Sequence, residues 1–117
     1  MIWEDTFYSV KSLITTDNGF NAVVEIGTTH SILKGHFPEH PIVPGVCTLA
    51  IIKKTLSLFL KRDIMFSKIK DCKFVSAIVP KEQLLLTISV TFKNEDSIVS
   101  TVKTNETIAL KLKATIN

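Results

Sequence analysis

From Leu84 onward, apolar and polar residues alternate along the chain. In LLLTISVTF the side chains of Leu84, Leu86, Ile88, Val90 and Phe92 share one face while Thr87, Ser89 and Thr91 share the other, the period of two that marks a strand buried on one side. IALKLKATI repeats the pattern, with Ile108, Leu110, Leu112, Ala114 and Ile116 inward and Lys111, Lys113 and Thr115 outward. Between them SIVSTVKT reads as a shorter strand, entered through the polar turn KNEDS and left through TNET. Together the three predict an antiparallel meander. Earlier, FNAVVEIG sets Phe20, Ala22, Val24 and Ile26 against Asn21 and Glu25. The preceding TTDNG supplies a turn in which Asn18-Gly19 suits positive φ, so Tyr8 to Thr16 is the expected hairpin partner. Ile64 to Val75 alternates less cleanly, and its spacing predicts a long strand with a bulge or bend.

One segment follows a different rule. Val46 to Arg62, VCTLAIIKKTLSLFLKR, contains no Gly or Pro, is apolar on almost every side in its first half and closes on basic residues, which predicts a helix whose first half is buried. Pro44 fixes φ where a helix can begin, and Lys61 and Arg62 suit the negative end of the helix dipole. Two strands, a loop, one long helix and about four more strands give an α+β expectation: an antiparallel sheet wrapped around one central helix, since a sandwich would leave that helix with no core to join.

Length and composition narrow the class. With 117 residues, 45% apolar and 21% charged, the chain fits a single folded domain over residues 1–117 and not a disordered segment. MIWEDTFYSV lacks the basic stretch and apolar run of a secretory signal, and no window reaches about 18 uninterrupted apolar residues, so a cytoplasmic protein without membrane contact is expected. Cys47 and Cys72 lack metal-ligand spacing and read as reduced, buried thiols, with no metal expected. The net charge of +3 includes the run Lys53, Lys54, Lys61, Arg62, Lys68, Lys70 and Lys73. Such a cluster steers an acidic partner toward the surface, or is a solvated face with cations near a helix C-terminus. Aromatic residues are not interleaved with it, which argues against nucleic acid.

Gly35 to Val46, GHFPEHPIVPGV, holds two of the four glycines, three of the four prolines and two of the three histidines of the chain. The stretch resembles the signature of the 3-hydroxyacyl-acyl-carrier-protein dehydratases of bacterial fatty acid synthesis, with matches at Gly35, His36, Phe37, Pro38, Pro41, Pro44, Gly45 and Val46. A second stretch, CKFVSAIVPKEQLLL, is similar to the family's pattern after the helix and keeps its spacing at Phe74, Pro80 and Leu84. The resemblance spans roughly residues 7 to 114. It implies the hotdog fold, two chains paired into one continuous sheet, acyl tunnels at their interface, and acyl thioesters on acyl carrier protein as substrates, with no cofactor.

Physical chemistry gives the motif a sense. A helix N-terminus presents N–H groups without intrahelical partners and a partial positive charge, so Gly45, bare of side chain, lets a thioester carbonyl oxygen reach its amide. The prolines hold the loop rigid. His36 is the candidate base, because removing a proton beside a polarised thioester needs a group titrating near neutrality. Phe37, Pro38, Val46 and Ala50 are the candidate substrate-binding residues. His30, Glu39 and His40 fall where the family is variable and read as solvated loop residues.

The chain departs from the family at one chemically important place. The family carries a helix carboxylate fourteen residues after the histidine, which orients the departing hydroxyl; here that position is Ala50, and Val46 to Phe59 contains no Asp or Glu. The family's glutamine four residues later is Lys54. Cys47 and Lys54 are the nearest side chains to substitute for it. Two readings follow. One is a dehydratase with His36 as base, in a homodimer or in a heterodimer with another hotdog protein that supplies the carboxylate. The other is a non-catalytic hotdog subunit that binds acyl chains or completes a dimer with an active relative.

Overall fold

Each alternating segment of the sequence becomes a strand, because one apolar face per strand can be buried only by laying the strands side by side over a common core. The computed structural model describes residues 8–26, 45–78, 84–105 and 107–117. Its elements are β1 (Tyr8–Thr16), β2 (Gly19–Ile26), α1 (Gly45–Leu60), β3 (Phe66–Phe74), β4 (Leu85–Phe92), β5 (Ser97–Thr104) and β6 (Thr107–Ile116). The six strands form one antiparallel sheet in the order β1-β2-β4-β5-β6-β3. The passage from β2 through α1 therefore crosses the sheet and delivers β3 to its opposite edge. The meander β4-β5-β6 and the β1-β2 hairpin form as the alternation predicts.

The helix packs into the sheet through Cys47, Thr48, Ile51, Ile52, Thr55 and Leu56, all buried. Opposite them lie Ala22 and Val24 of β2, Leu86 and Ile88 of β4, Val102 of β5 and Leu110 of β6, each at most 1% exposed. Every buried Ile or Leu of this kind contributes about 1.5–3 kcal/mol. Near the end of the helix Phe59 stacks on Phe20 at a ring-centroid distance of 4.6 Å and on Phe92 at 5.9 Å, closing the core. The buried Thr55 hydroxyl is satisfied by donating to the Ile52 carbonyl at 2.8 Å.

Two details differ from the sequence expectations. The helix spans Gly45–Leu60 and stops two residues short of Arg62. Lys61 adopts a left-handed φ of 59°, and the Arg62 N–H donates to the Ser57 carbonyl at 3.2 Å, the six-to-one bond of a Schellman end. Arg62 then reaches Asn117, its Nη2 donating to the backbone oxygen at 2.7 Å.

The β1-β2 turn is Asp17-Asn18, flanked by the Thr16–Gly19 pair, and neither Asn18 nor Gly19 has positive φ. Gly19 is required by the sheet: a Cβ there would overlap the Val90 carbonyl oxygen and lie 2.8 Å from the Val90 carbonyl carbon. As the irregular alternation of Ile64 to Val75 predicts, β3 carries two register shifts against β6, between Phe66 and Lys68 and between Ile69 and Asp71. Those shifts, and an edge position that leaves most of the strand exposed, blur its alternation.

Candidate functional site

Gly45 opens α1. With Thr48 one turn along, it walls a cavity of about 460 Å³ whose other sides are Phe74 at the end of β3, Val75, Ser76, Ala77 and Ile78 just past it, and Ala109 and Leu110 of β6. The shape depends on a bulge. Val102 pairs with Leu110 but Lys103 pairs with Ile108, so Ala109 is an extra residue in β6 and is buried while Ile108 is only half-buried. The Ala109 carbonyl accepts from the Val75 N–H at 2.8 Å and the Ser76 N–H at 3.3 Å, and Ser76 Oγ donates to the Ile108 carbonyl at 2.9 Å. These bonds fold the segment after β3 across β6 and satisfy its polar groups, so a mostly apolar lining faces the cavity.

The first-turn N–H groups of α1 have no acceptor within the helix. No acidic residue occupies that turn, so the partial positive charge at Gly45 is not offset from within it. The absence of a side chain at Gly45 makes room for Phe74: a Cβ would meet the ring edge, 2.7 Å from Cζ. The ring itself is 61% exposed and stands at the mouth of the cavity. Its spacing match was legible in the sequence, but its position over the helix start was not. Thr48 carried a signal, lying three residues after Gly45 on the same side of a helix. The Ala109 bulge carried none.

Of the expected site residues, the structure brings Gly45 to the cavity. Val46 and Ala50 lie elsewhere on α1, and His36, Phe37 and Pro38 fall outside the described residues, as do His30, Glu39, His40 and Pro80. Val46 is 73% exposed and Ala50 is half-buried. With Lys53 they form a stripe at helical spacing opposite the face that carries Cys47, Ile51 and Leu56. A side chain at position 50 therefore points away from the chain's own sheet. Neither expected substitute for a carboxylate lines the cavity: Cys47 is buried in the core, where desolvation pushes its thiol pKa upward and keeps it protonated, and Lys54 is exposed. Burial, and then the adjacent Asp71 carboxylate, likewise raise the pKa of Cys72. Among the described residues no three His, Cys, Asp or Glu side chains gather as metal ligands would, and no helix is long and apolar enough to cross a membrane.

Residues 13–112 match the ApeI-like family, described as ApeI dehydratase. The 3-hydroxyacyl-[acyl-carrier-protein] dehydratase FabZ of Listeria monocytogenes serotype 4b is 28% identical over 94 residues, covering 73% of this chain and 65% of that protein. FabZ of Caldanaerobacter subterraneus is 27% identical over 93 residues, covering 72% and 66%. The chain thus spans about two thirds of the length of these relatives. Among solved structures, the dehydratase heterocomplex ApeI:P from Xenorhabdus doucetiae superposes with a TM-score of 0.73 at 18% identity, over 92% of this chain and 96% of that one. An uncharacterised protein from Erwinia carotovora subsp. atroseptica gives 0.72 at 20% identity, over 93% and 92%. The sheet wrapped around α1 is the hotdog fold.

Proposed function

This chain belongs to the ApeI-like dehydratase family, and from that premise we propose that it acts in the dehydration of 3-hydroxyacyl thioesters held on an acyl carrier protein, as a single cytoplasmic hotdog domain within a two-chain assembly. The observation that carries the reading is the Gly45 amide, at the unneutralised start of a helix, opening into an apolar cavity. A thioester carbonyl oxygen accepting from that amide gains charge as the α-carbon loses its proton. His36 takes the α-proton, the bond from the β-carbon to its hydroxyl breaks, and a carboxylic acid gives its proton to that hydroxyl so that it leaves as water. The product is the 2-enoyl thioester. Phe37, Pro38, Val46 and Ala50 border the acyl chain.

The acid must come from elsewhere, since position 50 is alanine. The resemblance pairs the histidine of one subunit with the helix carboxylate of the other, and the outward direction of position 50 supports that division. Two copies of this chain would set His36 against Ala50 in both sites. A partner that keeps the carboxylate gives one complete site per heterodimer. The ApeI:P assembly is a heterocomplex, which favours such pairing. Lys53 and Lys54 on α1 would help dock the acidic carrier. Lys61 and Arg62 lie about 12 Å farther along, just past the end of the 16-residue helix, and join them in that role.

Ala50 also supports a second reading, a non-catalytic subunit that binds acyl chains or completes a dimer with an active relative. Complementation separates the two. This chain is co-expressed with a relative whose histidine is removed and whose carboxylate is intact, and dehydration of a 3-hydroxyacyl thioester is followed. Activity is expected only in the mixture, falling at least about 10²-fold with His36→Ala. No activity in a verified heterodimer puts the non-catalytic reading first.

A further inference from the structure

The two edges of the sheet are not alike. On β1, Lys11 is paired with Glu25 of β2 at 3.5 Å, and Ile14 is the one large apolar side chain more exposed than buried. On β3 the face turned toward α1 carries exposed Ile69 and Phe74, continued by Met65 and Val75 at its ends, each 44–61% exposed. That edge offers backbone hydrogen-bonding groups beside uncovered apolar surface. The opposite face of the same strand is basic. Lys73 is registered beside Lys111, and Asp71 beside Lys113. Lys68 lies on that face, and Lys70, at the second register shift, borders a groove with Lys113. Five lysines thus stand with one aspartate on two neighbouring strands, and none of the five makes an ion pair among the described residues.

We infer that β3 pairs with the edge strand of a different hotdog chain, one carrying Asp or Glu on its outer face, and that its lysines hold two copies of this chain apart. The inference rests on the two-chain reading above and names which second chain the edge accepts. In any two-fold antiparallel pairing centred within 68–73, this segment of one copy lies opposite the same segment of the other. With the centre between Lys70 and Asp71, which sets outer positions opposite outer positions, Lys68 faces Lys73 twice and Lys70 faces Asp71 twice, with Lys111 and Lys113 of both copies one strand behind. Like charges directly opposite across strands destabilise the pair, and here each copy brings a net surplus of four lysines. The apolar face rewards pairing with any partner, so the choice between partners falls to the charged face. An acidic edge turns the same lysines into cross-strand attractions.

Sedimentation equilibrium of the purified chain tests this, alongside Lys70→Glu/Lys73→Glu, whose exposed positions leave the core intact. Hydrogen exchange on β3 amides identifies the edge in use. Self-association of the unaltered chain should tighten about tenfold or more between about 10 mM salt, where charges act over about 30 Å, and about 1 M, where they act over about 3 Å. The double variant should dimerise about tenfold more tightly than the parent at low salt, with β3 amides protected. A tight parent dimer, protected along β3 and indifferent to salt and to charge reversal, overturns the inference while leaving the two-chain reading standing. No self-association of either protein at either salt also overturns it, because charge would then not be what keeps the copies apart; the complementation assay judges the two-chain reading separately.

Discussion

Replacing Gly45 by alanine separates folding from chemistry at the helix start. The new methyl would overlap the edge of the Phe74 ring, 2.7 Å from Cζ and 3.3 Å from Cδ1. Relief to an ordinary contact of about 3.5–4.0 Å requires the ring to retreat by about 1 Å. Phe74 is 61% exposed, so it retreats into solvent and gives up about 1 kcal/mol of contact at most. Alanine in place of glycine in a helix returns up to about 1 kcal/mol. The two nearly cancel, and the melting temperature should move by no more than about 5 °C. Activity should behave differently. The methyl occupies the approach by which a carbonyl oxygen would reach the Gly45 amide, and losing one such donor costs about 10²–10³ in rate, or about 2.7–4 kcal/mol. Thermal melts and initial rates of 2-enoyl thioester hydration, measured in the active assembly, provide the two readouts. Phe74→Ala added to Gly45→Ala removes the overlap but keeps the methyl, so it should not restore the rate. A single variant that keeps more than about a tenth of the activity, or a double variant that recovers it, would refute the role given to the amide.

Gly19→Ala should cost more than about 2 kcal/mol, since the clash is with Val90 backbone that cannot swing aside; a melting temperature within about 3 °C of the parent contradicts it. Lys61→Gly should stabilise by about 0.5–1 kcal/mol, because φ at 61 is 59° and the exposed lysine loses no packing; urea unfolding measures it, and a loss of stability counts against the strained helix end. Ser100 Oγ is buried with no partner among the described residues, so Ser100→Ala should gain about 1 kcal/mol in the same assay, and destabilisation would reveal a bond to that hydroxyl. The Cys47 thiol is raised above its ordinary 9.0 by burial. Above about pH 9 the unfolded chain therefore releases a proton that the folded chain keeps, and stability falls as pH rises. The Cys47→Ala variant should show a shallower decline in melting temperature over that range, and an unchanged slope would assign the decline to other groups.

What could be read from residues alone follows from how local each feature is. The meander was legible because β4, β5 and β6 each bury one face and expose the other, and alternation records nothing else. Strand β3 was harder, since an edge strand with two register shifts and little buried surface leaves only a faint pattern. Gly19 was assigned to a turn because glycine permits positive φ, whereas its reason is a backbone 71 positions away. In the site, Gly45 was legible because helix ends impose their own chemistry. Phe74 and Ala109 acquire their roles only when β3 docks beside β6, a pairing no local pattern encodes. The outward stripe of Val46, Ala50 and Lys53 sits between these cases: helical periodicity fixes it once one knows which face meets the sheet.

The crossover from β2 through α1 to β3 also sets an order of events during synthesis. Strand β3 has a single neighbour in the sheet, β6, which is completed only at Ile116. At about 5–20 residues per second, the 42 residues from Phe74 to Ile116 take about 2–8 s to translate. Until β6 is made, the sheet that covers Ile51, Ile52 and Leu56 of α1 is incomplete and β3 has no strand to pair with. Long-range closure therefore comes last, and the β3 edge takes its place in the sheet only once β6 has been made.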